Sequence, residues 1–139
     1  MWIHYPLAFL VALIGFLWLF TMVQRIVAFR SKQISVVDIM FVSKHKLPIR
    51  TVLSGNNYDN QFQQPILFIV LLHGLYLQSV SGQFWYVLSA MFVISRYWHC
   101  AEHIFTQHLL RRTIAFVIGS LCLFIGWFKY VHILHSASL

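Results

Sequence analysis

Six amides and one carboxylate are packed into the ten residues Asn56-Asn57-Tyr58-Asp59-Asn60-Gln61-Phe62-Gln63-Gln64-Pro65, which run directly into the apolar stretch Ile66 to Leu77. That stretch alone is too short to cross a bilayer, which takes about 20 residues, so a spanning helix here must carry its amides and Asp59 with it. Polar groups in hydrocarbon are costly unless they face a bundle interior or a water-filled cavity. The spacing therefore predicts a polar pocket at one end of a membrane bundle. Asn57, Asn60, Gln61 and Gln64 share one helical face, whereas Asp59 and Gln63 point away from it, toward a second subunit. Buried amides often do no more than bridge helices, but their density here exceeds what bridging requires.

A second polar stripe lies further on. At about 100° per residue, Arg96, His99 and His103 fall within about 60° of one another on a helix, and Ser89 and Phe92 extend the stripe. Arg96 sits near the middle of its apolar segment, where an unpaired charge costs at least ~3 kcal/mol. The chain has only three acids, Asp38, Asp59 and Glu102. Arg96 must pair with one of these, with carbonyls, or with an anionic ligand entering from the cytoplasm. His99-Cys100-Ala101-Glu102-His103 reads as H-x-x-E-H, the inverted zinc-protease motif, and two histidines at i and i+4 can share a metal. No third ligand is apparent and the cation Arg96 stands beside them, so no metal is assigned. His73, set between Leu72 and Gly74, reads as a helix-packing residue.

The elements that must position these groups are membrane helices. Hydrophobic residues make up 60% of the 139 and charged residues 9%, against roughly 25% charged in an ordinary soluble domain. Apolar segments at about 7–29, 57–78, 84–105 and 111–133 predict an all-α, integral membrane four-helix bundle in a single domain, 1–139. The first is read as a transmembrane helix, since residues 1–6 carry no Lys or Arg and no small-residue cleavage site follows. Cys100 and Cys122 fall inside spans and imply neither a disulfide framework nor a zinc finger.

Basic residues orient the bundle. Arg30, Lys32, Lys44, Lys46 and Arg50 lie in or beside the first connection, and Arg111 and Arg112 lie in the third, against Lys129 alone at the other side. The positive-inside rule puts these loops in the cytoplasm and both termini on the non-cytoplasmic side. Trp2, Tyr5, Trp85, Tyr86, Trp127 and Tyr130 then form an aromatic belt at the outer interface. The net charge of +7 serves topology and contact with anionic membrane lipid, not nucleic acid. Within the first connection, Ile34 to Val42 is apolar around Asp38 and fits a segment lying at the interface or beneath the bundle.

The run from Asn57 to Phe68 resembles the signature that opens the second helix of bacterial MAPEG proteins, the membrane-associated proteins of eicosanoid and glutathione metabolism. Its usual form there is Asn-Phe-x-Asn-x-Phe-Glu-x-Pro-x-Leu-Phe. Arg96-Tyr97, His99, His103 and Arg112 are similar in type and spacing to the third-helix pattern of the same group. The resemblance covers nearly the whole chain. It implies a multi-pass protein of the bacterial inner membrane, a homotrimer, with glutathione as co-substrate held between subunits near the cytoplasmic face and its thiolate stabilised by an arginine. Arg30 and Arg112 are the catalytic candidates by position. Arg25, Asn57, Asp59, Asn60, Gln61, Arg96, His99 and His103 are the candidates for binding glutathione. The Arg-x-x-x-Asn-x-x-Glu pattern of the animal enzymes is missing, Gln63 stands where the bacterial signature has Glu, and His99 and His103 stand where the conjugating enzymes have tyrosines. These departures argue against eicosanoid synthesis.

Two function classes follow. One is a glutathione transferase or peroxidase acting on a lipophilic small molecule that enters from the bilayer. The other is a non-catalytic membrane protein whose pocket binds a small anion or lipid headgroup. A third, metal-dependent class built on His99, Glu102 and His103 rests on the H-x-x-E-H match alone.

Overall fold

The computed structural model describes residues 2–40 and 47–137. Lys44, Lys46 and the end of the segment read at 34–42 lie outside them. The described residues form helices and their connections, with no strand among them. The long helices are α1 (His4–Arg30), α5 (Gln83–Ala101) and α6 (Leu109–Ala137); the shorter ones are α2 (Val36–Met40), α3 (Ile49–Asp59) and α4 (Gln64–Leu77). Two helices, His4–Arg30 and Leu109–Ser136, are long and apolar enough to cross a membrane.

The apolar periodicity of α1 is that of a helix touching its neighbours along one seam. Pro6, Leu10, Leu13, Leu17, Thr21 and Ala28 are buried, at spacings of three, four and seven. Phe9, Phe16, Trp18 and Leu19 on the other faces stay exposed, which in water would be a large aggregation-prone patch and in hydrocarbon is a solvated surface. The helix stops at Lys32, in the left-handed region with φ 56. There Gln33 N–H donates to Ala28 O and Lys32 N–H to Phe29 O, both at 3.0 Å, the paired bonds of a Schellman ending. The short α2 starts with a capping box: Ser35 N–H and Oγ donate to Asp38 Oδ2 at 3.0 and 2.7 Å, and Asp38 N–H returns to Ser35 Oγ at 3.2 Å.

The second helix departs most from its expected form. It begins at Ile49 rather than at 57, and it is not continuous, because a 3-10 turn (Asn60–Phe62) and Gln63, at φ −101 and ψ −98, separate α3 from α4. Pro65 causes the break: it has no N–H to offer the carbonyl four residues back, and its ring crowds that carbonyl. At the first turn of α4 the same proline costs nothing, since that donor would have no helical partner.

The core is built around Phe68 of α4 and Phe92 of α5, whose rings stack with centroids 4.0 Å apart, with Leu71, Leu72, Leu75, Trp85 and Leu88 around them. Helix α6 packs against both α4 and α5, and Gly126 is the reason it can come so close. A Cβ there would lie 2.7 Å from Leu71 Cδ2 and 3.0 Å from Leu88 Cδ2, so only a residue without a side chain fits, as is common where membrane helices cross. At one end of the molecule Trp2 meets Tyr86 edge-on at 5.1 Å, and Lys129 Nζ sits 3.6 Å over Phe84. The other end carries the polar residues.

Candidate functional site

Where the second helix breaks, its polar residues, the last turns of α5 and the first turns of α6 enclose a cavity of about 520 Å³. Asn56, Asp59, Asn60 and Gln63 line one wall, His99 and His103 a second, and Arg112, Thr113 and Phe116 a third. Irregular backbone at membrane depth is tolerated where it lines a cavity, and the 3-10 turn does so.

The stripe of the second helix expected to line the pocket is split, with only Asn60 of its four residues in the cavity wall. Asn57 and Gln61 are completely buried against α5: Asn57 Nδ2 donates to Cys100 O at 3.4 Å, and Gln61 Nε2 donates to Asn57 O at 3.0 Å and to Cys100 Sγ at 3.2 Å. They bridge helices and do not line the cavity. Asp59 and Gln63, expected to leave the subunit, do line it. The physical reason is geometric. The inner face closes on the narrow Cys100 turn of α5, and the opposite face is left open where the chain kinks.

Arg112 is held at both ends by histidines of α5 and its continuation. His99 Nδ1–H donates to the Arg112 carbonyl at 3.1 Å, and Arg112 Nη1 donates to His103 Nδ1 at 3.1 Å. These partners assign the tautomers: His99 carries its proton on Nδ1, and His103 must be neutral with its proton on Nε2. That nitrogen has no hydrogen-bond partner among the described residues. A π-helical turn (Glu102–Thr106), closed by Gln107 N–H to Glu102 O at 2.7 Å, delivers His103 to this place. Such turns recur at functional sites because they rotate one side chain out of the regular helical register.

Beneath the cavity lies Arg96, fully buried. Its Nη1 donates to Gln64 Oε1 at 3.4 Å, its guanidinium lies 6.0 Å from the centre of the Phe116 ring, and Nε and Nη2 have no hydrogen-bond partner. Gln64 in turn donates to Ser120 Oγ at 2.6 Å. The open choice of partner for Arg96 thus goes to an amide and an aromatic face rather than to Glu102. Six residues apart on a helix is about 240°, whereas i and i+4 face each other, and Glu102 accordingly engages Trp98 Nε1 at 3.0 Å, the Thr106 hydroxyl, and Arg111 at 4.0 Å. The glutamate of H-x-x-E-H is therefore turned away from its two histidines.

Of the other expected residues, Asn60 lines the cavity, while Arg25 and Arg30, near the end of α1, are not part of its wall. His73 is exposed on α4 beside Tyr76 instead of packing between helices. Asn56, Thr113, Phe116 and Ser120 were not anticipated. The signal for Thr113 and Ser120 is an interrupted apolar pattern in α6, where Arg112 and Thr113 are followed two turns later by the small residues Gly119 and Ser120; nothing in the sequence singles out Phe116. A larger cavity of about 880 Å³ between α1 and α5 is apolar and aromatic, lined by Trp2, Phe9, Tyr86, Val93 and Tyr97 among others, and bridged by Tyr97 Oη donating to Phe9 O at 2.8 Å. No charged side chain is among the residues that line it.

A helical protein with apolar outer faces and a charged, amide-lined cavity at one end has the build of a membrane-bound protein. The family model of the MAPEG family matches residues 7–132. The chain therefore belongs to the MAPEG family, which is membrane-bound and contains glutathione transferases and peroxidases as well as non-catalytic members. Comparison with curated proteins and with solved structures returns no match.

Proposed function

We propose that the protein is a glutathione transferase or peroxidase of the membrane, with four spans, both termini outside, and assembly as a homotrimer. Glutathione occupies the cytoplasm-facing cavity at a subunit boundary, and a lipophilic electrophile meets it from the bilayer. The observation that carries this reading is the composition of the cavity wall. A simple anion site would need cations alone, whereas here the carboxylate of Asp59 shares the wall with Arg112 and three amides, Asn56, Asn60 and Gln63. Glutathione is zwitterionic and peptidic, so the wall offers an acid for its ammonium, amides for its peptide groups and an arginine for its thiolate. The volume of about 520 Å³ falls in the range of small-molecule sites.

Within one chain Arg112 takes the thiolate role, since Arg30 and Arg25 are not in the wall. The energetics suffice: moving a thiol pKa from about 8.5 to about 6.5 takes ~2.7 kcal/mol, and one cation at about 4 Å supplies ~4 kcal/mol at an effective dielectric of about 20. The thiolate then attacks the electrophilic carbon, the C–S bond forming as the leaving group departs with its bonding pair. Equilibrium binding of glutathione to the purified protein in detergent tests the reading. Binding in the micromolar to millimolar range is expected. Binding of inorganic phosphate with none of glutathione overturns it in favour of a non-catalytic anion-binding member.

A further inference from the structure

Arginine is a long side chain, and at the rim of a polar cavity it would sample many rotamers unless something held it. The usual holder is a carboxylate, which makes a bidentate pair with the guanidinium but also cancels its charge. At this site the holder is an imidazole. His103 is 4% exposed, and its Nδ1 lone pair accepts Arg112 Nη1 at 3.1 Å. One of the five guanidinium donors is thereby fixed by a neutral group, so the holder itself cancels none of the charge that Arg112 brings to the wall it shares with Asp59. The backbone of Arg112 is fixed as well, through the His99 bond to its carbonyl. The nearest glutamate is kept out of the arrangement, because Trp98, Thr106 and Arg111 occupy Glu102 on the other side of the π-helical turn.

We infer that His103 is the positioning residue of Arg112: as a neutral acceptor it aims the guanidinium into the cavity without neutralising it. The inference rests on the reading that the cavity holds glutathione with Arg112 facing its thiol. His103 itself touches no reacting atom.

Three variants separate positioning from packing. His103→Phe keeps the bulk and removes the acceptor. His103→Gln keeps a neutral acceptor oxygen, and His103→Glu supplies an acceptor that cancels the charge. Each full-length variant is purified in detergent beside the wild type, and glutathione binding, thiolate absorbance against pH, and turnover with a lipophilic aryl halide are measured. The Phe variant is expected to raise the pKa of the bound thiol and to lower kcat about 10- to 100-fold, the scale of a misplaced catalytic group, with KM for glutathione little changed. The Gln variant is expected to restore both, while the Glu variant binds glutathione with the thiol pKa raised. Should the Phe variant fail to fold, the Gln and Glu variants decide alone: a lower thiol pKa in Gln than in Glu supports the inference, and equal values overturn it. Bound glutathione that ionises equally well in the wild type and in all three variants likewise overturns the positioning role and leaves the glutathione reading standing. A wild type that binds no glutathione removes that reading, and this inference with it.

Discussion

Gly119 offers a prediction whose size follows from the packing of α5 on α6. A Cβ at this position would lie 2.8 Å from Ser95 Oγ, 3.5 Å from Gln64 Oε1 and 3.7 Å from Arg96 Cδ. The last two are ordinary contacts. The first is too short for a carbon and an oxygen, for which even close C–H···O approaches are about 3.3 to 3.6 Å. Ser95 cannot swing aside freely, since its hydroxyl donates to Phe92 O at 2.6 Å. Gly119→Ala therefore forces either the hydroxyl or the helix to move, an overpacking cost of about 1–3 kcal/mol, against a helix-propensity gain of about 1 kcal/mol for Ala over Gly. The expected net loss is about 0–2 kcal/mol. In a Ser95→Ala background the obstacle is gone, and the same replacement should stabilise by about 1 kcal/mol. The two effects differ in sign, so the double-mutant cycle should show a coupling of about 1–3 kcal/mol. Unfolding in mixed micelles with rising SDS, followed by tryptophan fluorescence, measures all four proteins. If Gly119→Ala changes stability equally in both backgrounds, within about 0.5 kcal/mol, then α5 and α6 are not in this register. The delivery of Arg112 to His99 and His103 would then lose its basis.

Arg112→Leu should cost about 2.7–4 kcal/mol of transition-state stabilisation, as loss of one preorganised charge donor does, or roughly 100- to 1,000-fold in turnover; steady-state kinetics with glutathione checks it, and a change confined to KM would reassign Arg112 to carboxylate binding. Single cysteines placed at the exposed positions Ser81 and Gln107, in a background lacking Cys100 and Cys122, should react with an impermeant maleimide from opposite sides of the membrane, the periplasmic and the cytoplasmic respectively. Labelling of both from one side would refute the four-span topology. Glu102→Gln should leave glutathione affinity within about threefold while lowering stability, by the loss of a charge-assisted bond, because Glu102 serves the Trp98 and Thr106 contacts and not the cavity; a large loss of affinity would contradict that assignment.

The parts of the fold that could be read in advance are those set by long apolar periods. The first and fourth helices had uninterrupted runs and no competing signal, and their expected ranges lie inside His4–Arg30 and Leu109–Ala137. The second helix starts earlier than expected because residues 49–56 mix Ile49, Val52 and Leu53 with polar residues and end in Gly55 and Asn56, which reads as the close of a connection, although Pro48 followed by Ile49 is an ordinary helix start; tertiary packing of α3 against α1 supplies what propensity did not. The convergence of Arg96, His99 and His103 was legible because i, i+3 and i+7 on one helix need no knowledge of the rest of the chain. The pairing of His103 with Arg112 was not, since it depends on a π-helical turn, and a single inserted register shift leaves no period in the residues. Nor could spacing alone decide which face of the second helix opens to the cavity, because both faces are polar and the choice is made by a kink at Gln63.

That kink links the sequence to the site. Were the second helix continuous, its polar turns would be sealed between α1, α5 and α6, and six amides and a carboxylate would have to satisfy one another in a dry interior. Pro65 prevents this by removing one helical donor, and the chain unwinds for one turn at the depth where Asn60, Asp59 and Gln63 occur. The fully buried Asn57 and Gln61 are tied to Cys100, while Asn56, Asp59, Asn60 and Gln63 line the cavity. The same division explains why Arg96 can remain without an acid. Its partner Gln64 is the first residue of α4, anchored through Ser120 to α6, so the guanidinium is held by neutral groups from two helices just below the opening. Both arginines at this end, Arg96 beneath the cavity and Arg112 in its wall, are thus fixed by uncharged acceptors. Two guanidinium groups held in that way keep their charge at the polar end of the molecule, where Arg112 shares the cavity wall with the carboxylate of Asp59.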